Sequence, residues 1–100
     1  MIVVAGSVKV RADRRADAVR VAVEMARATR AEPGCRTYRF SADLEDPDTF
    51  LIFEEWESEE ALTRHFQTEH MRVFQGHLPN LLGGPASVRR YEVSASSPMM

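Results

Sequence analysis

Glu54, Trp56, His65 and His70 are the residues whose types and spacing could do chemistry in this chain. A carboxyl group two residues before an indole shares one side of a strand with it. An imidazole, with an ordinary pKa of about 6.5, can take up a proton at neutral pH. These groups lie within residues 32–70, EPGCRTYRFSADLEDPDTFLIFEEWESEEALTRHFQTEH, where apolar and polar side chains alternate closely. The chemistry that fits is binding of a small apolar molecule and removal of one of its protons. Each residue also has a plainer role. Trp56 could be a core residue with its N–H bonded, Glu54 the partner of a backbone amide or an Arg, and His65 a satisfied core histidine. The residues alone leave both readings open.

His65 shares a helical stripe with Ala61, Leu62 and Phe66, which places all four on a buried face. His70 recurs with Val73 and His77 on the next helix; His70 can join the same cleft, and His77 faces solvent.

Other chemistries have little to stand on. Cys35 is the only cysteine, so no intrachain disulfide and no thiolate zinc site can form. It opens a strand with no activating base nearby and reads as a small hydrophobe. There is no HExxH motif, and His65 and His70 stand five apart across an expected helix break, so no metal ion is expected. The glycines do not form a phosphate loop, and no serine sits in a nucleophile elbow. The net charge is −2 with both signs interspersed and no basic run, which argues against nucleic acid. The opening MIVVAGSVKV lacks a basic flank and is too short for a signal peptide or membrane span. With the single cysteine, this points to a cytoplasmic location and no membrane partner.

The elements that must position these groups follow from periodicity. Ile2 to Val10 alternates as a strand, and Asp13 is the expected N-cap of a helix carrying Ala16, Val19, Val23 and Ala26. Pro33-Gly34 ends that helix. Cys35 to Ala42 and Phe50 to Glu57 are the second and third strands, joined by an acidic turn containing Pro47. Ser58 caps the next helix and Thr68 marks a break or second cap. A further helix with Met71, Phe74 and Leu78 on one face is closed by Pro79-Asn80 and Gly83-Gly84-Pro85, before a last strand from Val88 to Val93. The order predicts an α+β fold, the ferredoxin-like βαββαβ pattern with a four-stranded antiparallel sheet and its helices on one face. Residues 1–95 form one domain, and 96–100 a disordered tail.

The third strand is apolar on both sides. Phe50, Ile52 and Trp56 point one way with Glu54; Leu51 and Phe53 point the other, beside Val3. An open face carrying Val3, Leu51 and Phe53 would be a large apolar patch, so a homodimer with stacked sheets is expected.

The same stretch resembles the antibiotic biosynthesis monooxygenase (ABM) family. The resemblance rests on Glu32, Gly34, Cys35, Tyr38, Asp43, Pro47, Glu54, Trp56, His65 and His70, and the element order extends it over residues 2–93. It implies a dimeric α+β barrel and a quinol monooxygenase-like enzyme with no cofactor. Such an enzyme oxidises a quinol or anthrone-like hydroxylated polycyclic aromatic with molecular oxygen. The substrate supplies the electrons, while the protein binds it, takes a proton and excludes water. On that reading His65 is the catalytic base, with His70 its alternate, and Glu54 orients an imidazole or a substrate hydroxyl. Trp56 and Tyr38 line the slot, with Phe66, Met71 and Phe74 as walls. A non-catalytic small-molecule-binding domain on the same barrel is the alternative. The haem-degrading branch fits poorly: Gln75 stands at its axial-histidine position, His65 at its tryptophan position, and the only asparagine is Asn80.

Overall fold

The computed structural model describes residues 1–100. Strand β1 (Ile2–Val10) leads through a short 3₁₀ turn (Ala12–Arg14) into helix α1 (Arg15–Arg30). Strands β2 (Cys35–Ala42) and β3 (Thr49–Trp56) form a hairpin. Helices α2 (Glu59–His65) and α3 (Glu69–Leu81) follow, and β4 (Leu82–Glu92) closes the sheet. The sheet is antiparallel throughout, in the order β2-β3-β1-β4. This is the expected ferredoxin-like α+β arrangement. No helix is long and apolar enough to cross a membrane.

Register fixes which side chains share a face. Ile2 pairs with Trp56, Val4 with Glu54 and Glu54 with Tyr38, so these lie on the helix-covered side. Val3, Ala5, Leu51, Phe53 and Tyr91 fall on the open side. Between the sheet and the helices the core forms two clusters. One contains Met25, Tyr38, Trp56, Ala61, Leu62 and Met71; the other contains Val10, Val21, Ala22, Phe50 and Leu81. Phe40 and Phe74 pack against both and join them.

Three local expectations are corrected. Asp13 does not cap α1: Arg11 draws its carboxylate into an ion pair, a 3₁₀ turn forms over Ala12–Arg14, and the α-helix starts two residues later without a side-chain cap. Pro79 and Asn80 do not close the last helix, which carries both inside its final turn. Gly83-Gly84-Pro85 is strand rather than turn, because β4 pairs with β1 from Leu82 opposite Val10 onward, across a register shift. Residues 96–100 are exposed and carry no secondary structure.

Candidate functional site

The α2–α3 break brings two imidazoles together. Ser58 caps α2 by accepting from the Ala61 amide at 3.1 Å, which starts the seven-residue helix that ends on His65. Thr68 then accepts from the Met71 amide at 3.3 Å and donates to the His65 carbonyl at 2.7 Å. One side chain thus caps α3 and ties it to the end of α2. His65 and His70, on either side of this clamp, have ring centroids 6.2 Å apart.

A carboxylate from the far end of α1 completes the cluster. Glu32 Oε2 accepts from His65 Nδ1 at 2.8 Å and from His70 Nε2 at 2.6 Å. Gly34 seats the turn that carries Glu32. Its φ of 84° suits glycine, and a Cβ there would come within 2.5 Å of the Ala61 Cβ on α2. The Gly34 carbonyl also accepts from the Glu57 amide at 2.8 Å, which pins the turn to the end of β3.

Because an ionised carboxylate only accepts, the Glu32 contact places the His65 proton on Nδ1. Burial holds the His65 pKa below its ordinary value, against the opposing pull of Glu32. The ring is therefore neutral at pH 7, and Nε2 carries a free lone pair. That atom is buried and has no hydrogen-bond partner. An oriented imidazole with an unused acceptor is the arrangement that a general base needs.

The aromatic wall beside His65 is tightly packed. Trp56 lies at 4.7 Å and Tyr38 at 5.5 Å between ring centroids, and the three residues are 0%, 3% and 1% exposed in the order Trp56, Tyr38, His65. Burial raises the Tyr38 phenol far above its usual range, so it stays protonated. The β2 strand carries a bulge between Cys35 and Thr37 opposite Trp56, a feature that re-aims side chains beside such walls. Cys35 is also a thiol at neutral pH, its pKa raised by burial to about 11.

Of the expected residues, Glu54, Trp56, Tyr38, His65 and Met71 are buried together, and His70 joins them through Glu32. Glu54 does not orient an imidazole. Its Oε1 accepts from the Trp56 indole at 2.9 Å, and burial raises its pKa to about 7. Phe66 is not a buried wall. The α-helix ends at His65, so Phe66 falls on the C-cap, turns outward and is 58% exposed, with its ring edge-on to His65 at 5.6 Å. Phe74 packs on Phe40 at 6.0 Å and, with Met71, closes the α3 side.

The expectation about His77 also changes. His70 and His77 both line a cleft of about 380 Å³ between α1 and α3, with Val21, Met25, Val73 and Phe74 as its apolar floor and Glu24 and Glu69 at its sides. His77 is thus half-buried rather than fully solvated. Glu32, His65 and His70, which no sequence motif links, offer three ligand atoms within 4.8 Å of one another. Glu32 is the site residue that sequence spacing missed. It lies 33 and 38 residues from its two partners, and only its place in the Glu-x-Gly-Cys string marked it.

Comparisons with known proteins agree with the fold. The family model described as antibiotic biosynthesis monooxygenase matches residues 1–77. An uncharacterised protein of Synechocystis is 37% identical over 93 residues, covering 93% of this chain; the chain spans 63% of that relative's length. YcnE of Bacillus subtilis, named as a candidate monooxygenase, is 31% identical across 94% of this chain and 99% of its own. Among solved structures, a candidate antibiotic biosynthesis monooxygenase of Deinococcus radiodurans superposes with a TM-score of 0.90 at 28% identity, covering 100% of this chain and 99% of that one. Rv0793 of Mycobacterium tuberculosis gives 0.88 at 25% identity, covering 97% and 98%.

Proposed function

Starting from the fact that the chain belongs to the antibiotic biosynthesis monooxygenase family, we propose that it oxidises a hydroxylated polycyclic aromatic of the quinol or anthrone type with molecular oxygen. The observation that carries this reading is the His65 ring, held by Glu32 at Nδ1 and unpartnered at a buried Nε2. Nε2 takes the phenolic or benzylic proton. The resulting electron-rich anion reduces oxygen. With an anthrone the ring methylene loses its two hydrogens, one oxygen atom enters as the carbonyl and the other leaves as water; with a quinol one oxygen atom becomes a ring hydroxyl, the diol becomes the quinone, and the other oxygen atom leaves as water. The substrate thus supplies every electron.

Around this step the other residues have physical roles. Glu32 keeps the His65 tautomer fixed and stabilises the imidazolium as it forms. Trp56 and Tyr38 pack against the His65 ring and keep water away from it. The Glu54–Trp56 bond sets the indole plane. Phe66, half outside and edge-on to His65, is the exposed aromatic side chain that borders this ring. Two copies of the chain pack through the open sheet face, which leaves the helix-side site untouched.

The test is oxygen uptake with a reduced naphthoquinone or an anthrone, together with identification of the oxygenated product. His65→Ala and Glu32→Gln should each lower the rate by about tenfold or more. Wild-type rates in both variants would remove the assignment. A second reading, a binding domain without turnover, draws on the closed packing of Trp56, Tyr38 and His65. It predicts saturable binding of the same aromatics with no oxygen consumed.

A further inference from the structure

The convergence of Glu32, His65 and His70 extends beyond proton transfer. We propose that these three side chains form a binding site for a divalent transition-metal ion of the zinc, cobalt or ferrous class, whose occupation shuts off the proton acceptor on His65.

The ligand set is the first argument. Two imidazoles and one carboxylate suit borderline ions, and three protein ligands leave a fourth position open. Geometry is the second. The three ligand atoms lie within 4.8 Å of one another, and a tetrahedral ion with bonds of about 2.1 Å needs them about 3.4 Å apart. The two oxygen–nitrogen separations, 2.8 and 2.6 Å, must open to reach that spacing, which the partly exposed His70 side chain can accommodate. Both imidazole nitrogens already face the single oxygen Oε2, at 2.8 and 2.6 Å. The scaffold is the third. Thr68 fixes the two histidines across the α2–α3 break, and the Gly34 turn fixes Glu32, so the donors are held before any ion arrives. Access is the fourth. The His70 side chain is 28% exposed and lines the α1–α3 cleft, which opens to solvent.

Binding has a chemical consequence for the proposed base. The ion takes the Nδ1 lone pair of His65 and displaces the Nδ1 proton, and the neutral ring then carries its proton on Nε2. Nε2 changes from acceptor to donor. That consequence rests on the proposed function, whereas the metal site itself does not.

The experiment titrates Co²⁺ and Zn²⁺ into the full-length, chelator-treated protein. Calorimetry reads stoichiometry, and the visible absorption of bound Co²⁺ reads coordination. The expected result is one ion per chain with nitrogen-ligated Co²⁺ absorption. Glu32→Gln and His70→Ala should each weaken binding about tenfold or more, while His77→Ala, in the same cleft but outside the trio, should leave it unchanged. Circular dichroism of each variant confirms folding, and the partly exposed His70 is the position where substitution is safest. No saturable binding, or equal affinity in wild type and both trio variants, overturns the site. If oxygen uptake is established, one equivalent of Zn²⁺ should suppress it and a chelator should restore it. Stimulation by the metal would overturn the shut-off. An absence of turnover with intact metal binding would count against the proposed function and leave the site standing.

Discussion

Glu54 lies between Ile52 and Trp56 on the covered side of β3 at 8% exposure, an unusual place for a carboxyl group. Desolvation is the largest influence on it, and its pKa rises from 4.5 to about 7. In the unfolded chain the same group ionises near its ordinary value. The folded protein therefore binds this proton more tightly, and the associated stability is fully present below about pH 4.5 and lost as the pH rises through about 7. Such a difference corresponds to about 3 kcal/mol across that window. Glu54→Gln keeps an amide oxygen for the Trp56 indole and removes the titration. The variant should melt like the wild type below pH 4.5 and be more stable by about 1–3 kcal/mol at pH 8. Thermal melts from pH 4 to 8 measure this directly, and parallel curves for the two proteins would show that Glu54 is not buried as described.

At the scale of elements, two short connections place the site. The Gly34 turn has a left-handed backbone and no room for a Cβ against Ala61. Gly34→Ala should cost about 1–3 kcal/mol, and displacement of Glu32 should loosen its bonds to both histidines. Urea unfolding measures the first effect, and the imidazole NMR resonances of His65 and His70 measure the second. Thr68→Ala removes the cap of α3 and the tie to His65, at about 1 kcal/mol. In that variant amide exchange should rise first in the opening turn of α3. If exchange rises elsewhere instead, the clamp is not what holds the break.

The strands and the α2 and α3 starts were legible in the sequence because alternation and hydroxyl caps are local signals. β1 and β2 match their expected bounds, and Ser58 and Thr68 cap as expected. Asp13 misled because Arg11 competes for its carboxylate, and Gly83-Gly84-Pro85 misled because they form an irregularity within β4, between the Val10–Leu82 and Val8–Ala86 pairs, rather than a turn. The candidate site was half legible. Strand parity gave Glu54 and Trp56, and the helical stripe gave His65. Phe66 was misplaced because the stripe was extended past the helix end. Glu32 could not be paired with its histidines, since a contact across three elements leaves no local periodicity.

The sheet of the whole molecule has two unlike faces, one covered by helices and one open. On the open side of the sheet Val3, Ala5, Leu51, Phe53 and Tyr91 form an apolar surface, with Leu51 39%, Phe53 42% and Tyr91 47% exposed. Arg39, opposite Phe53, and Arg89, opposite Ala5, extend this surface with polar edges. A monomer would leave this side wet, whereas the helices already cover the other. A two-fold stack of sheets would remove the patch from water, and each substitution in it would then act twice. Phe53→Glu should therefore bury two unpaired carboxylates and weaken the dimer by at least about 100-fold. Sedimentation velocity at micromolar concentration should give a dimer for the wild type and a monomer for the variant; a monomeric wild type would sink the proposal. Phe53 and Glu54 are neighbours in sequence but point to opposite sides of β3, so the same variant separates the two faces. Co²⁺ binding at Glu32, His65 and His70 should survive in the Phe53→Glu monomer, because no residue of that trio lies on the open face.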